Sequence, residues 1–320
     1  MRRSPLARPL TALVAATLVT GALAGCSGFS LDGGCTPEVP SGDASSIIVA
    51  TGDLGEQPSI EYPTPLIVDS AERSVLTIGD GEVIGTYSTV AVELTVLNAA
   101  TGEVLEATPY GSFDQRALFT SGESQGAFGD ALLCATVGSR LALVAPSEMF
   151  SNDFDPGVEL SGDSLVVVID VLQTWLGKAN GLNQLPLDGM PAVATAVEGA
   201  PGVSVSTQVP PTAVRAATIK AGAGAAIAAD DIAIIHVRSW SWSADGTVAL
   251  GSLDSWAGNA PYRAVIDPDT TDITLPTEVY ENLVGAKVGS QLMVVVPSGD
   301  GAGGATIYVV DALGTDRDDQ

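Results

Sequence analysis

An internal repeat constrains this chain of 320 residues more than any other feature of its sequence. Residues 132–141 (LLCATVGSRL) recur as residues 283–292 (LVGAKVGSQL), and each copy leads into an apolar run that ends in Pro-Ser. A later apolar segment, LVVVIDVL at 165–172, recurs as TIYVVDAL at 306–313. Matches in the same order favour duplication over chance similarity between apolar strands. The sequence therefore predicts two repeats, 46–176 and 191–316, joined by a linker at 177–190.

Hydrophobic periodicity indicates the fold class. Most apolar runs in each repeat alternate with a period of two, are rich in Val, Ile, Leu and Thr, and are bounded by Gly, Pro or Asp, which is typical of strands. One segment differs, because Phe128, Ala131, Leu132 and Ala135 are spaced as one face of a short helix. Residues 279–286 form its counterpart. We therefore expect an α+β protein in which each repeat is an antiparallel sheet wrapped over one short helix.

The motifs of both repeats resemble the FKBP-type peptidyl-prolyl cis–trans isomerases. The Val-Gly-Ser-Arg turn, the apolar strand ending in proline and the last strand are the more specific signals. Residues 92–95 (VELT) are similar to the family's first inner strand, and residues 253–256 (LDSW) and 259–262 (NAPY) are similar to its pocket motifs. The resemblance covers most of both repeats and implies two tandem FKBP-like domains in a bacterial lipoprotein.

The resemblance implies prolyl isomerisation and a set of site residues, and it needs no cofactor and no metal. A dry aromatic pocket favours the twisted prolyl amide, whose charge separation is smaller than that of the planar amide. The family's pocket positions fall on Leu94, Tyr110, Phe128 and Phe150 in the first repeat, and on Asp254, Tyr262 and Tyr308 in the second. Neither repeat has the full aromatic set, so core packing remains the alternative for each ring. The first repeat would be the more active module, and a catalytically inactive FKBP-like binding or chaperone lipoprotein is the alternative function.

The N-terminus reads as a lipoprotein signal. Arg2, Arg3 and Arg8 precede an uncharged apolar stretch that ends in Leu-Ala-Gly-Cys at residues 23–26, similar to a bacterial lipobox. We expect cleavage after residue 25, lipid on Cys26, and a tether over 26–45. An ordinary secretory signal is the alternative. The mature chain is then anchored to the membrane outside the cytoplasm, where it would assist the folding of exported proteins.

Two further cysteines, Cys35 and Cys134, remain after cleavage. In an oxidising compartment they can form a disulfide, but two buried thiols fit the sequence equally well. We leave that choice open.

Charge and composition exclude several classes of partner. Thirty-eight acidic residues against 13 basic ones give a net charge of −25, which argues against a nucleic-acid partner. One histidine and three cysteines are too few for the common zinc sites. A Gly-x-Ser-x-Gly match at 122–126 lacks a plausible histidine base, because His236 aligns with a strand position of the isomerases. The expected partners are prolyl peptides or unfolded exported proteins, and we expect a monomer.

Overall fold

The computed structural model describes residues 35–111, 116–122, 126–151, 163–205, 209–257, 261–265, 275–299 and 303–316. The first half contains α1 (Asp43–Ser46), β1 (Val49–Thr51), β2 (Ser59–Glu61), β3 (Glu72–Thr77), β4 (Thr89–Asn98), β5 (Val104–Ala107), β6 (Ala117–Thr120), α2 (Ala127–Leu132), β7 (Arg140–Pro146) and β8 (Ser164–Trp175). A 3₁₀ helix, Ser147–Phe150, follows β7. The second half contains β9 (Leu182–Asn183), β10 (Ala192–Thr195), β11 (Pro201–Ser204), β12 (Arg215–Ala221), β13 (Ile232–Trp242), β14 (Val248–Asp254), β15 (Tyr262–Val265), α3 (Thr277–Leu283), β16 (Gln291–Pro297) and β17 (Ala305–Asp316).

These strands form four antiparallel sheets. The first large sheet has the order β3-β7-β8-β4-β5, with β6 paired to β4. The second has the order β9-β12-β16-β17-β13-β14, with β15 paired to β13. The other two sheets are the hairpins β1-β2 and β10-β11. Corresponding strands of the two large sheets therefore have the same neighbours.

Each large sheet has apolar side chains packed on both of its faces. On one face of the first sheet, Leu94 and Phe128 belong to a cluster that includes α2. On the other face, Ile48 and Ile60 pack with the β1-β2 hairpin region against Val166 and its neighbours. In the second sheet, α3 and the segment around the β10-β11 hairpin contribute to the corresponding clusters. Because both faces are covered, every residue of β4 and β7 is buried.

The predicted α+β class, with one helix packed under each sheet, is wrong. The described part of the chain is mostly β, with four sheets and only three short α-helices of four, six and seven residues. The sequence pattern identified the apolar strands, including one at residues 47–50 that overlaps β1, but it did not predict the pairing of short segments into two small hairpins. These are built from short segments such as Val49–Thr51 and Pro201–Ser204, whose residues are mostly exposed or half-buried and carry little apolar signal.

The predicted tether is attached to the first half from Cys35 onward. Cys35 and Cys134 form a disulfide with their Cα atoms 5.7 Å apart, a separation that suits this bond. Further along, the backbone N–H of Arg73 in β3 donates to the carbonyl of Pro40 over 2.8 Å. Segment 35–46 therefore covers the outer edge of β3.

A buried polar pair occupies the same register position in each large sheet. In the first, Arg140 binds Asp170 through two hydrogen bonds of 2.5 and 2.7 Å. In the second, Gln291 donates to Asp311 over 2.8 Å, and the backbone N–H of Ala179 donates to the other carboxylate oxygen. Burial raises the pKa of Asp311 to about 6, despite these two donors.

The predicted linker is partly built into the second sheet. Gly181 donates to the carbonyl of Gly289 over 2.9 Å, and Leu182–Asn183 forms β9. The two halves also touch directly, because the indole N–H of Trp175 donates to the carbonyl of Thr315 over 3.1 Å. The limits of the two predicted repeats stay a prediction. None of the described helices has the length and apolar character needed to cross a membrane, and the predicted signal and Cys26 lie outside the described residues.

Candidate functional site

The structure brings together three of the residues implied for the first half. Leu94 of β4, Phe128 of α2 and Phe150 of the 3₁₀ helix lie in one apolar cluster. The ring centroids of Phe128 and Phe150 are 5.3 Å apart. Phe119 of β6 adds a third ring, whose centroid lies 4.9 Å from that of Phe128 in an edge-to-face arrangement. The sequence comparison did not select Phe119, although its place in a short apolar run was visible.

This first cluster offers almost no surface to a ligand. Phe128 is 1% exposed and Phe150 is fully buried, and Leu94 is 5% exposed. Partly buried Phe119 and Leu105 pack against the same cluster. A prolyl ring needs apolar surface that it can reach, so these aromatic rings act in this structure as core.

The second cluster has tyrosines at its boundary. Tyr262 of β15 and Tyr308 of β17 are half-buried and both pack against the cluster that contains Val237 and Val279. Burial raises the pKa of the Tyr308 hydroxyl above its usual value. Val237 lies in β13 and Val279 in α3, and both are buried. The surface is therefore apolar and partly accessible, with two aromatic side chains.

Two further residues frame the second cluster and were missed by sequence reasoning. Leu253, next to Asp254, and Val296, at the end of β16, are half-buried and pack against the same group. Leu253 is the first residue of the LDSW segment at 253–256, so the resemblance already contained a signal for it. Together with Tyr262 and Tyr308 these side chains form what we call the tyrosine rim.

Tyr110 lies apart from both apolar clusters. Its hydroxyl is 2.8 Å from the hydroxyl of Thr95, and burial raises its pKa to about 12. The sequence comparison aligned Pro109-Tyr110 with Pro261-Tyr262. The strand register gives a different correspondence, because Val92 and Ile235 are equivalent positions of the two sheets. Ala117 lies opposite Val92 in the first sheet, and Tyr262 lies opposite Ile235 in the second. The first half thus has an alanine at the position where the second has an aromatic ring.

Asp254 also lies outside the tyrosine rim, because its carboxylate pairs with Arg238. The Nε–Oδ1 distance is 2.8 Å, and the same oxygen accepts the backbone N–H of Trp256 over 3.1 Å. The strand pairing of Arg238 with Asp254 places this ion pair between β13 and β14. Asp254 therefore orders the β14 turn.

His236, the one histidine of the chain, is held as a neutral core residue. Its Nδ1 lies 2.8 Å from the hydroxyl of Ser255, and its ring stacks on Trp256 with centroids 3.9 Å apart. Burial, the largest cause, lowers the pKa of His236 to about 3. At neutral pH it is uncharged and has no proton-transfer role in the site described here. Within the described ranges, no group of three His, Cys, Asp or Glu side chains is placed to hold a metal ion.

Comparison with known proteins gives structural similarity at a low level. No family model matches the chain, and no curated protein matches it. The three FKBP domains of wheat FKBP73 are similar over 78% of this chain and 96% of that one, at 16% identity and a TM-score of 0.29. The N-terminal domain of Arabidopsis thaliana FKBP42 is similar over 37% and 97%, at 12% identity and a TM-score of 0.29. A Pseudomonas syringae peptidyl-prolyl isomerase is similar over 34% and 77%, at 20% identity and a TM-score of 0.26. Scores this low carry no argument about fold or activity.

Proposed function

We propose that this protein is a peptidyl-prolyl cis–trans isomerase that acts through the tyrosine rim of its second half. The observation that carries the proposal is that Tyr262 and Tyr308 are half-buried on one apolar cluster, with Leu253 and Val296 beside them. Phe128 and Phe150, the aromatic rings that the resemblance implied for the first cluster, are buried and offer no comparable surface. The active module is therefore the second half, which reverses the order expected from the sequence.

Prolyl isomerisation requires only that the tyrosine rim favour the twisted amide over the planar one. Rotation about the amide loses resonance and costs about 18–20 kcal/mol in water. The twisted amide is less charge-separated than the planar one, so an apolar surface that excludes water favours the twisted form. In this proposal Tyr262 and Tyr308 supply that surface, and both pack against the apolar cluster that contains Val237 and Val279. No step requires a nucleophile or a titrating side chain, so the rate should vary little between pH 6 and 8.

The test is isomerisation of a short Xaa-Pro peptide by the chain from residue 27, which keeps every residue that the structure describes. Tyr262→Ala and Tyr308→Ala should each lower kcat/KM by about tenfold, which corresponds to the loss of about 1.4 kcal/mol of transition-state contact. Ile78→Ala, a change at a side chain that is 71% exposed in the first half, is the control and should keep full activity. No acceleration over the uncatalysed rate by a folded protein would contradict the proposal.

A second candidate is a binding protein of the same architecture without catalysis. Burial of Phe128 and Phe150 favours it, because one half then retains its aromatic residues for packing alone. The two candidates separate in one experiment. A binding protein would retain a proline-containing peptide and leave its isomerisation rate unchanged.

We also propose that Cys26 carries lipid and anchors the chain outside the cytoplasm, where it assists exported proteins. The L-A-G-C motif after an uncharged stretch supports this. The Cys35–Cys134 disulfide fits an oxidising compartment. Metabolic labelling with a fatty-acid analogue should mark the wild type and not Cys26→Ser, and equal labelling of both would refute the anchor.

A further inference from the structure

The second large sheet has an open edge where the first is covered. In the first half, β3 is shielded by segment 35–46: Arg73 donates to Pro40, and the hydroxyls of Ser74 and Ser45 lie 2.8 Å apart. The register of the neighbouring strands makes β12 the counterpart of β3, with Ala216 at the place of Arg73. Among the described residues, β9 pairs only with Lys220 and Ala221 of β12. The outer edge from Arg215 to Thr218 has no strand partner there.

An apolar groove of about 480 Å³ runs beside this edge. Its walls include Ala217 and Ile219 of β12, Met293 of β16, and Val193 of β10. Residues 184–187, together with Met190 and Pro191, form the outer wall. A volume of this size is within the range of ligand sites, and the walls combine these apolar side chains with lysine, asparagine, glutamine and threonine side chains.

The outer wall is held in place, and its leucines point outward. The guanidinium of Arg215 donates to the carbonyls of Asp188 and Gly189 over 2.7 and 3.0 Å. Leu185 is 90% exposed and Leu187 is 51% exposed, although both line the groove. The two leucines therefore extend the apolar surface of the groove towards solvent, and contiguous exposed apolar surface is a feature of interaction sites.

The charge of the groove is opposite to that of the whole chain. Its lining contains Lys178 and Lys220 and no acidic residue, in a chain with 38 acidic and 13 basic residues. The Lys220 amino group donates to the carbonyl of Ala179 over 3.2 Å, and that of Lys178 donates to the carbonyl of Val197. Lys220 also lies near the buried carboxylate of Asp311, so Lys178 carries the less compensated charge. An occupant with a negative group is favoured here.

We propose that the β12 edge binds an extended segment of another polypeptide as an added strand, with apolar side chains in the groove and an acidic group near Lys178 and Lys220. Strand addition supplies backbone hydrogen bonds for affinity, while side-chain pockets give specificity. The open length, Arg215 to Thr218, accommodates about four residues of the partner. This site is separate from the tyrosine rim and does not depend on isomerase activity.

The test measures fluorescence anisotropy of three labelled ten-residue peptides with the chain from residue 27. The first alternates valine and threonine and has a central glutamate, the second has lysine in place of glutamate, and the third has N-methyl groups on alternate backbone nitrogens. We expect the first peptide to bind, and we expect the affinity of the other two to be lower by about tenfold or more. Equal binding of the N-methylated peptide would overturn strand addition. This comparison uses the unmodified protein, so it does not depend on whether a variant folds.

Protein variants locate the site. Ala216→Pro removes an edge N–H, and proline is tolerated on edge strands, so it should weaken the first peptide by about tenfold. Leu187→Ser should also lower the affinity for the first peptide, although it leaves the backbone edge intact. It replaces the proline variant if that variant does not fold. Ile78→Ser, an equivalent loss of exposed apolar surface in the first half, is the control and should bind normally. Unchanged affinity in folded Leu187→Ser, or a dimer of the chain that the peptide does not dissociate, would overturn the proposal.

Discussion

Replacement of Arg140 by glutamine tests how the first half is stabilised, because Gln291 already stands at the same position of the second. The Arg140 guanidinium binds both carboxylate oxygens of Asp170, and it also donates to the carbonyls of Gly52 and Asp53 over 2.9 Å each. Both side chains of the ion pair are almost fully buried. The arginine thus connects the centre of the sheet to the turn between β1 and β2. Hydrogen bonding to Asp170 raises the pKa of Arg140, so its charge is permanent.

The expected loss for Arg140→Gln is about 3–5 kcal/mol of unfolding free energy at pH 7. Removal of one partner from a buried ion pair leaves the other charge without compensation, and that cost has this size. Asp170 would keep the backbone N–H of Gly55, which donates to it over 2.7 Å, and would gain at most one neutral amide donor from the new glutamine, as Asp311 does from Gln291. Glutamine is too short to reach both Asp170 and the carbonyls of Gly52 and Asp53.

The assay is urea unfolding followed by circular dichroism, with the slope of the transition compared between variants. The double variant Arg140→Gln/Asp170→Asn should recover most of the loss, since two neutral amides can hydrogen-bond without a buried charge. Both single variants and the double variant together form a cycle that isolates the coupling between the two positions. A loss below about 1 kcal/mol for Arg140→Gln, or strict additivity in the cycle, would refute the argument.

Three other outcomes follow from the same structure. The folded pKa of Asp311, about 6, exceeds the ordinary 3.8, so its contribution to stability is present below pH 4 and lost as the pH rises through 6. One pKa unit corresponds to about 1.4 kcal/mol, so Asp311→Asn, with the Gln291 amide turned to match, should gain on the order of 1–3 kcal/mol of unfolding free energy at pH 7. The gain at pH 4 should be small, and urea unfolding at both pH values measures the difference. Cys35→Ser/Cys134→Ser opens a loop of 99 residues and should cost about 4–5 kcal/mol, a difference that disappears when both proteins are measured under reducing conditions. Phe128→Ala should cost about 3–5 kcal/mol and leave prolyl isomerisation by the remaining folded protein unchanged, whereas a specific loss of activity would return the site to the first half.

The strands that carry most of the burial could be predicted from the sequence. Residues 140–145 and 165–172 were identified as strands from continuous β-branched and leucine content, and they form β7 and most of β8. The helical spacing that begins at Phe128 corresponds to α2, Ala127–Leu132. These signals are strong because each depends on local composition. The duplication stays a prediction that the shared strand order of the two sheets supports.

The second covered face of each sheet could not be predicted in the same way. An uninterrupted apolar run such as 165–168 reveals that both faces are buried, but it does not reveal what covers them. The covering hairpins β1-β2 and β10-β11 have short strands whose side chains are partly exposed, so even the strand predicted at residues 47–50 carries no signal of its pairing partner. A structure with long-range contacts is needed to place them. That missing layer explains why one helix per sheet was expected.

We propose the second half as the site for a related reason, because a core and a pocket use the same kinds of residue. Phe128 and Phe150 are the aromatic residues that a motif comparison finds first, yet a ring that fills a core leaves nothing for a ligand to contact. The first half is also the more tightly connected one, with a disulfide, a buried ion pair and a covered sheet edge. The second half has a glutamine in place of Arg140, an open edge at β12 and half-buried tyrosines. Exposed apolar groups lower the stability of a protein. In our proposal the stabilising contacts lie in the first half and the binding surfaces lie in the second. Phe128 and Phe150 of the first half are therefore packing residues in this structure, while we propose that the second half carries the binding surfaces.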